Sequence, residues 1–235
     1  MNQTLKAIGR IIVALILGVF VLSVSSSVSV SISKRFPGLA QSLPMGEGFI
    51  IQICFLVLST LLILAISGGD MSRYGFKTGK NIQLPRIMIL GIAVGIAGTL
   101  LGIIIPDSNL IEPDFGSFID LVIGIWILAS IAEEVFTRGL IQGFLAPLAG
   151  FGFYLGGLRI SLPVLISGLF FGLMHLGILS TGANFLPVAI IVIFAFMLGI
   201  IAGYYREKSG SLVPAIIVHA CGNVGGWLAD FIINF

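Results

Sequence analysis

Long apolar runs, interrupted at intervals by short polar segments, organise the chain from end to end. A membrane-spanning helix needs about 20 predominantly apolar residues. On that rule the sequence divides into candidate spans over 11–30, 49–67, 87–105, 118–147, 162–176, 185–205 and 212–232. The pattern predicts an all-α, polytopic transmembrane helix bundle of about seven to eight spanning helices. The fourth run is too long for a plain span. At 1.5 Å per residue it reaches about 45 Å, more than the hydrocarbon core is thick, so it must tilt, break or begin as a surface helix near Asp120. Glycines recur at four-residue spacing as Gly91/Gly95, Gly98/Gly102, Gly168/Gly172 and Gly199/Gly203. Such pairs let helix backbones approach closely in lipid, and helix packing is the expected role of all of them. No internal repeat is visible, which argues against the duplicated architecture common in transporters. The alternating Ser/Val stretch 23–33 has no evident chemistry.

Composition agrees with this pattern. The 235 residues are 57% hydrophobic and only 9% charged, where a soluble domain is about 25% charged; mean hydropathy is +1.16. A chain with so few solvent-facing groups is neither a cytoplasmic enzyme, nor a nucleic-acid binder, nor a disordered scaffold. Net charge is +2, from 12 Lys and Arg against 10 Asp and Glu. The basic residues form no nucleic-acid patch. Cys54 and Cys221 both lie in apolar runs, as small buried hydrophobes rather than a disulfide framework. Residues 1–27 have the layout of a signal peptide, with Lys6 and Arg10 before the apolar stretch from Ile11 to Leu22. An uncleaved first span is favoured, because the rest of the chain is membrane too.

The loop charges give an orientation. If the spans alternate, Lys6, Arg10, Arg73, Lys77, Lys80, Arg86, Arg159, Arg206 and Lys208 fall on one side. Lys34 and Arg35 fall on the other, beside the acidic loop of Asp107, Glu112 and Asp114. The positive-inside rule then puts the N-terminus in the cytoplasm.

Ionisable groups within the spans cost at least a few kcal/mol each and usually face the protein interior. The fourth span holds Glu133, Glu134 and Arg138, and both histidines of the chain, His175 and His219, are also intramembrane. Glu134 and Arg138 share a helix face and can pair, whereas Glu133 is rotated about 100° away and has no built-in partner. His219 and Asn223 share another face. Phe171 lies one turn before His175 as a packing wall. Measured from the cytoplasmic ends of their spans, Glu133 lies about 22 Å deep, His175 about 21 Å, His219 about 14 Å and Asn223 about 20 Å. Taken singly, Glu134–Arg138 is an ordinary structural ion pair, and each histidine could be an interhelical hydrogen bond. Their shared depth favours a reactive site.

Three motifs, Glu133-Glu134…Arg138, Phe171…His175 and His219…Asn223, occur in that order on successive hydrophobic segments. Together they resemble the CPBP family, the CAAX proteases and bacteriocin-processing enzymes, also called the Abi family of intramembrane proteases. The resemblance covers about residues 118–228, and the sequence divides accordingly into 1–117, N-terminal transmembrane helices that vary in the family, and 118–235, a CPBP-like catalytic core. It implies an intramembrane endopeptidase hydrolysing a peptide bond near the membrane surface, by CAAX-type processing or on a related peptide. The expected partners are a peptide or lipidated protein substrate and the lipid bilayer. Within that chemistry Glu133 suits the general base, helped by His175; His219 and Asn223 suit oxyanion donors; Glu134 with Arg138 fixes the helix. Glu133, His175 and His219 would also make a plausible zinc set, but His-Glu-x-x-His is absent, and a metal-free site is favoured. Two other readings remain: a non-catalytic immunity or partner-binding protein on the same scaffold, and a secondary transporter with a buried ion-coupled site.

Overall fold

The computed structural model describes residues 3–80, 82–104 and 117–234; the acidic stretch of Asp107, Glu112 and Asp114 lies outside them. Among the described residues are eight helices: α1 (Gln3–Arg35), the short α2 (Pro37–Ser42), α3 (Glu47–Ser67), α4 (Leu84–Ile104), α5 (118–148), α6 (Leu162–Met174), α7 (Phe185–Ser209) and α8 (Val213–Asn234). Six helical stretches are long and apolar enough to cross a membrane: α1, α3, α4, α6 with its continuation to Thr181, α7 and α8. The protein is an integral, multi-pass membrane protein. Helix α5 corresponds to the fourth predicted run, and it falls outside those six because its helix is not uniform.

Helix α5 resolves its excess length by changing its winding. The α-helical turns Phe118–Leu121, Ser130–Glu134 and Gln142–Leu145 alternate with π-helical stretches Val122–Ala129 and Val135–Ile141. Wider i→i+5 turns advance less per residue, and they free backbone carbonyls for other partners. Ser117 caps the start, its Oγ accepting the Asp120 N–H at 3.2 Å. At the far end Arg10 Nε donates to the Phe144 carbonyl at 3.0 Å, and Arg159 Nη2 donates to Ala149 and Gly150 at 2.6 and 2.9 Å. Two residues that read as markers of membrane side thus also satisfy the last carbonyls of α5, where a cation is favourable.

The middle of α5 is the core of the bundle. Val135, Phe136, Leu140, Ile141 and Leu145 are all buried. Phe136 packs on Phe55 of α3 at 5.1 Å between ring centroids and on Phe170 of α6 at 5.7 Å. Large apolar side chains such as Ile16, Ile89 and Ile193 face outward, where lipid replaces water. The inward face of α1 is instead small and polar. Ser25 and Ser29 are fully buried, and the Ser29 hydroxyl donates to the Glu47 carbonyl at 2.9 Å. The Ser/Val stretch is therefore a close helix contact with α3.

Most of the paired glycines do pack helices. A Cβ on Gly95 would lie 2.0 Å from the Gly222 carbonyl oxygen, and one on Gly91 would lie 2.4 Å from that of Val218. Helices α4 and α8 therefore touch backbone to backbone. Gly102 is the exception: among the described residues nothing lies within 4 Å of its Cβ position. It borders a cavity instead of a helix.

Two features were not expected. Residues Gly152–Leu155 and Leu158–Ser161 form an antiparallel hairpin between α5 and α6. Its turn, Gly156-Gly157, has φ of 55° and 81°, positive at both positions as a tight two-residue hairpin turn requires. In addition, residues 71–80 fold over the α7–α8 turn, with Leu212 N–H bonded to the Gly75 carbonyl at 3.0 Å and Lys80 N–H to Ser209 at 3.2 Å. Helix α8 therefore starts beneath a covering segment, and a depth counted from its first residue underestimates that of His219.

Gly95→Ala should drive a methyl group into the α8 backbone and destabilise the bundle by about 1–3 kcal/mol. Gly102→Ala, which meets open space, should leave stability unchanged. Thermal unfolding of the two purified variants in the same detergent checks this; equal midpoints would refute the backbone-contact account.

Candidate active site

A carboxylate buried in an apolar bundle needs partners, and the α-helical turn Ser130–Glu134 presents two of them with opposite surroundings. Glu134 is fully buried. Its Oε1 accepts from Arg138 Nη1 at 2.8 Å, one turn along α5, and from His219 Nδ1 on α8 at 3.0 Å. Because an ionised carboxylate only accepts, Nδ1 is the protonated nitrogen of His219, and Nε2 is left facing the site. Glu133, about 100° around the helix, faces differently. Its Oε1 accepts from Gln52 Nε2 on α3 at 2.7 Å, and its Oε2 lies 3.9 Å from His219 Nε2.

Arg138 is enclosed on every side. Its guanidinium lies 4.3 Å over the Phe171 ring and also donates to Thr137 Oγ1 at 2.5 Å. A Cβ on Gly199 would come within 2.7 Å of Nη2, so only glycine leaves room at that point of α7. Phe171 is thus the common wall expected of it and more. Its ring meets Arg138 on its face and packs at steep angles to the imidazoles of His175 and His219, at 5.1 and 5.2 Å between centroids. His175 closes α6, and its Nδ1 bonds to the Phe171 carbonyl at 2.8 Å. A carbonyl only accepts, so Nδ1 donates and Nε2 remains as the basic nitrogen.

Asn223 lies one turn beyond His219. Its amide nitrogen donates to the Ile125 carbonyl, at 3.2 Å, and to Ser130 Oγ, at 3.2 Å. Ile125 belongs to the first π-helical stretch of α5, whose winding exposes carbonyls that an α-helix would have paired. Asn223 therefore ties α8 to α5 next to the glutamates.

Five expected residues, Glu133, Glu134, Arg138, Phe171 and His219, form one contact network, and His175 joins it through Phe171. Among the described residues no three His, Cys, Asp or Glu side chains come together as a metal-holding group. Sequence reasoning missed Gln52, whose signal was available: it is the sole side-chain amide in the apolar run of α3. It also missed Gln142, fully buried, which joins α5 to α7 through the Gly203 carbonyl at 2.9 Å.

The network opens on a cavity of about 660 Å³ between α4, α7 and α8. His175, His219 and Asn223 line its inner end; Gly98, Thr99 and Gly102 form the α4 wall; Trp227 and Asp230 of α8 lie farther out. Most of its surface is apolar. A substrate segment entering here would meet the histidines after passing between helices.

Residues 115–225 match the Rce1-like family, described as type II CAAX prenyl endopeptidase Rce1-like. No curated protein and no solved structure matches the chain.

Arg138→Met leaves the Glu134 carboxylate buried with His219 alone and should cost about 3–5 kcal/mol. The double variant Glu134→Gln/Arg138→Met, which removes both charges, should recover much of that loss. Denaturant unfolding of the purified proteins in micelles measures both; a single variant as stable as the parent would show that the ion pair does not support the fold.

Proposed function

Because the match over 115–225 supports the CPBP/CAAX protease family for this chain, we propose that it is an intramembrane endopeptidase that hydrolyses a peptide bond with a water activated by Glu133. The supporting observation is the 3.9 Å separation of Glu133 Oε2 and His219 Nε2 beside an open cavity. That gap is too wide for a direct hydrogen bond and suits a water held off the line between them.

In this mechanism Glu133 takes a proton from the water as its oxygen attacks the scissile carbonyl carbon. For this step His219 acts as an imidazolium that has taken a second proton, on Nε2, from solvent before attack; Glu134 stabilises it, and its Nε2–H bonds the developing oxyanion without being transferred. The C–N bond then breaks, and Glu133 returns its proton to the leaving amine. His175 Nε2, facing the cavity, holds the water or the emerging amine. Asn223 has its donors committed to α5, which favours a role in positioning α8 over direct oxyanion contact. Gln52 fixes the Glu133 carboxylate by bonding the oxygen that does not face His219. No step calls for a metal.

The substrate is a peptide or lipidated protein delivered from the bilayer, by CAAX-type processing or a related cleavage. The N-terminus is proposed to be cytoplasmic, on the basic side. A non-catalytic immunity or partner-binding protein is the second reading. It has no use for a carboxylate and an imidazole nitrogen set 3.9 Å apart next to a cavity that the histidine lines, and the retained geometry favours the enzyme.

Glu133→Gln keeps the shape and the Gln52 contact side but removes the base, and should lower the cleavage rate by about 10²–10⁴ while unfolding stays unchanged. Peptide hydrolysis followed by mass spectrometry checks this, and a variant with parental activity sinks the assignment. Gln52→Leu removes a hydrogen bond to a charged group, about 1.5–3 kcal/mol; kcat should fall about 10- to 100-fold with KM little altered.

A further inference from the structure

The channel that leads to His219 is apolar along most of its length, and one face of α8 supplies its polar features. His219, Asn223, Gly226 and Asp230 all line it. Their spacings of four, three and four residues put them within about 60° of one another around the helix, a continuous stripe. Opposite them α4 offers Gly95, Gly98, Thr99 and Gly102, small residues that leave the bore open. Among the described residues no Lys or Arg lines the channel. Asp230, half-buried and accepting from Asn234 Nδ2 at 2.7 Å, is the one carboxylate of the lining among the described residues, and Trp227 lines the channel three residues before it on α8. Trp227 is itself held by Trp126, at 5.5 Å, and Phe231, at 5.2 Å.

A carboxylate on an otherwise apolar wall is a site for a cation, which gains charge pairing from it and quadrupole attraction from an indole on the same wall. A free substrate carboxylate finds no positive partner in this channel and meets Asp230 as a like charge. Building on the endopeptidase reading, we propose that Asp230 and Trp227 form a specificity subsite for a cationic substrate group, a lysine, an arginine or a free amino terminus. The stretch between that cation and the scissile bond is apolar, matching Val94, Gly98, Ile191 and Phe194 of the channel wall. Asp230 is eleven residues beyond His219, about 16 Å along the helix axis. An extended chain covers that in about five residues, fewer once the reach of a lysine or arginine side chain is allowed for. The cation is therefore placed about three to five residues from the bond that breaks.

Glu133→Gln protein, first checked for parental thermal unfolding, reads the subsite without turnover. The probes are fluorescent apolar peptides carrying Lys, Gln or Glu at each of positions one to six from a central bond, on either side. The expected result is at least tenfold tighter binding of a Lys peptide than of its Glu counterpart, greatest at three to five residues on one side. Adding Asp230→Asn should reduce this ratio to about twofold or less, and Asp230→Lys should invert it. Absence of a Lys/Glu preference, or a preference that Asp230→Asn leaves intact, overturns the subsite. Turnover of the Gln peptides by the parent protein reports separately on the endopeptidase reading. Selective binding without turnover would overturn that reading and keep the cation site, while turnover without charge selectivity would do the reverse.

Discussion

A negative charge held in the middle of an apolar bundle is the constraint that the rest of this structure answers to. Glu134 has no water to solvate it, so it is bound by Arg138 from its own helix and by His219 from α8. Arg138 in turn needs the face of Phe171 and a missing side chain at Gly199. Four elements, α5 to α8, are thereby fixed against each other by one buried carboxylate. The desolvation of such a group is expensive enough that every neighbour must be placed correctly or the arrangement fails.

The same array separates two adjacent glutamates into different tasks. Neighbours in sequence point about 100° apart on a helix, which puts Glu134 among its ion partners and Glu133 between Gln52 and His219. One is neutralised by structure, and the other keeps an oxygen directed toward His219. The carboxylate of Glu133 is steadied by Gln52, which comes from the first half of the chain, outside the family match. The reactive geometry thus draws on helices that carry no family signature, and α3 contributes more than a wall.

Much of this was legible in the sequence, for physical reasons that can be named. Intramembrane charges are costly, so Glu133, Glu134, Arg138, His175 and His219 stood out against an apolar background, and their helical spacing gave the Glu134–Arg138 pair directly. Hydropathy located the spans because lipid imposes a length. The π-helical winding of α5 was not legible, since i→i+5 bonding leaves no periodic mark in so apolar a run; only the excess length hinted at it. The hairpin escaped because its strands are four residues each, although Gly156-Gly157 between apolar flanks is a turn signal. The role of Gln52 depends on how α3 is rotated against α5, a tertiary fact. Arg10 and Arg159 read correctly as loop charges, but spacing alone could not pair them with carbonyls more than a hundred residues away in one case and about ten in the other.

Gly102 sits where a side chain would project into the channel without touching the rest of the bundle. Folding places no demand on that position, so its size is free to drift while the buried ion array stays as it is. The bore near the mouth can thus narrow or widen by single substitutions that leave the chemistry alone. The width of the channel and the buried ion array are set, in this architecture, by separate residues.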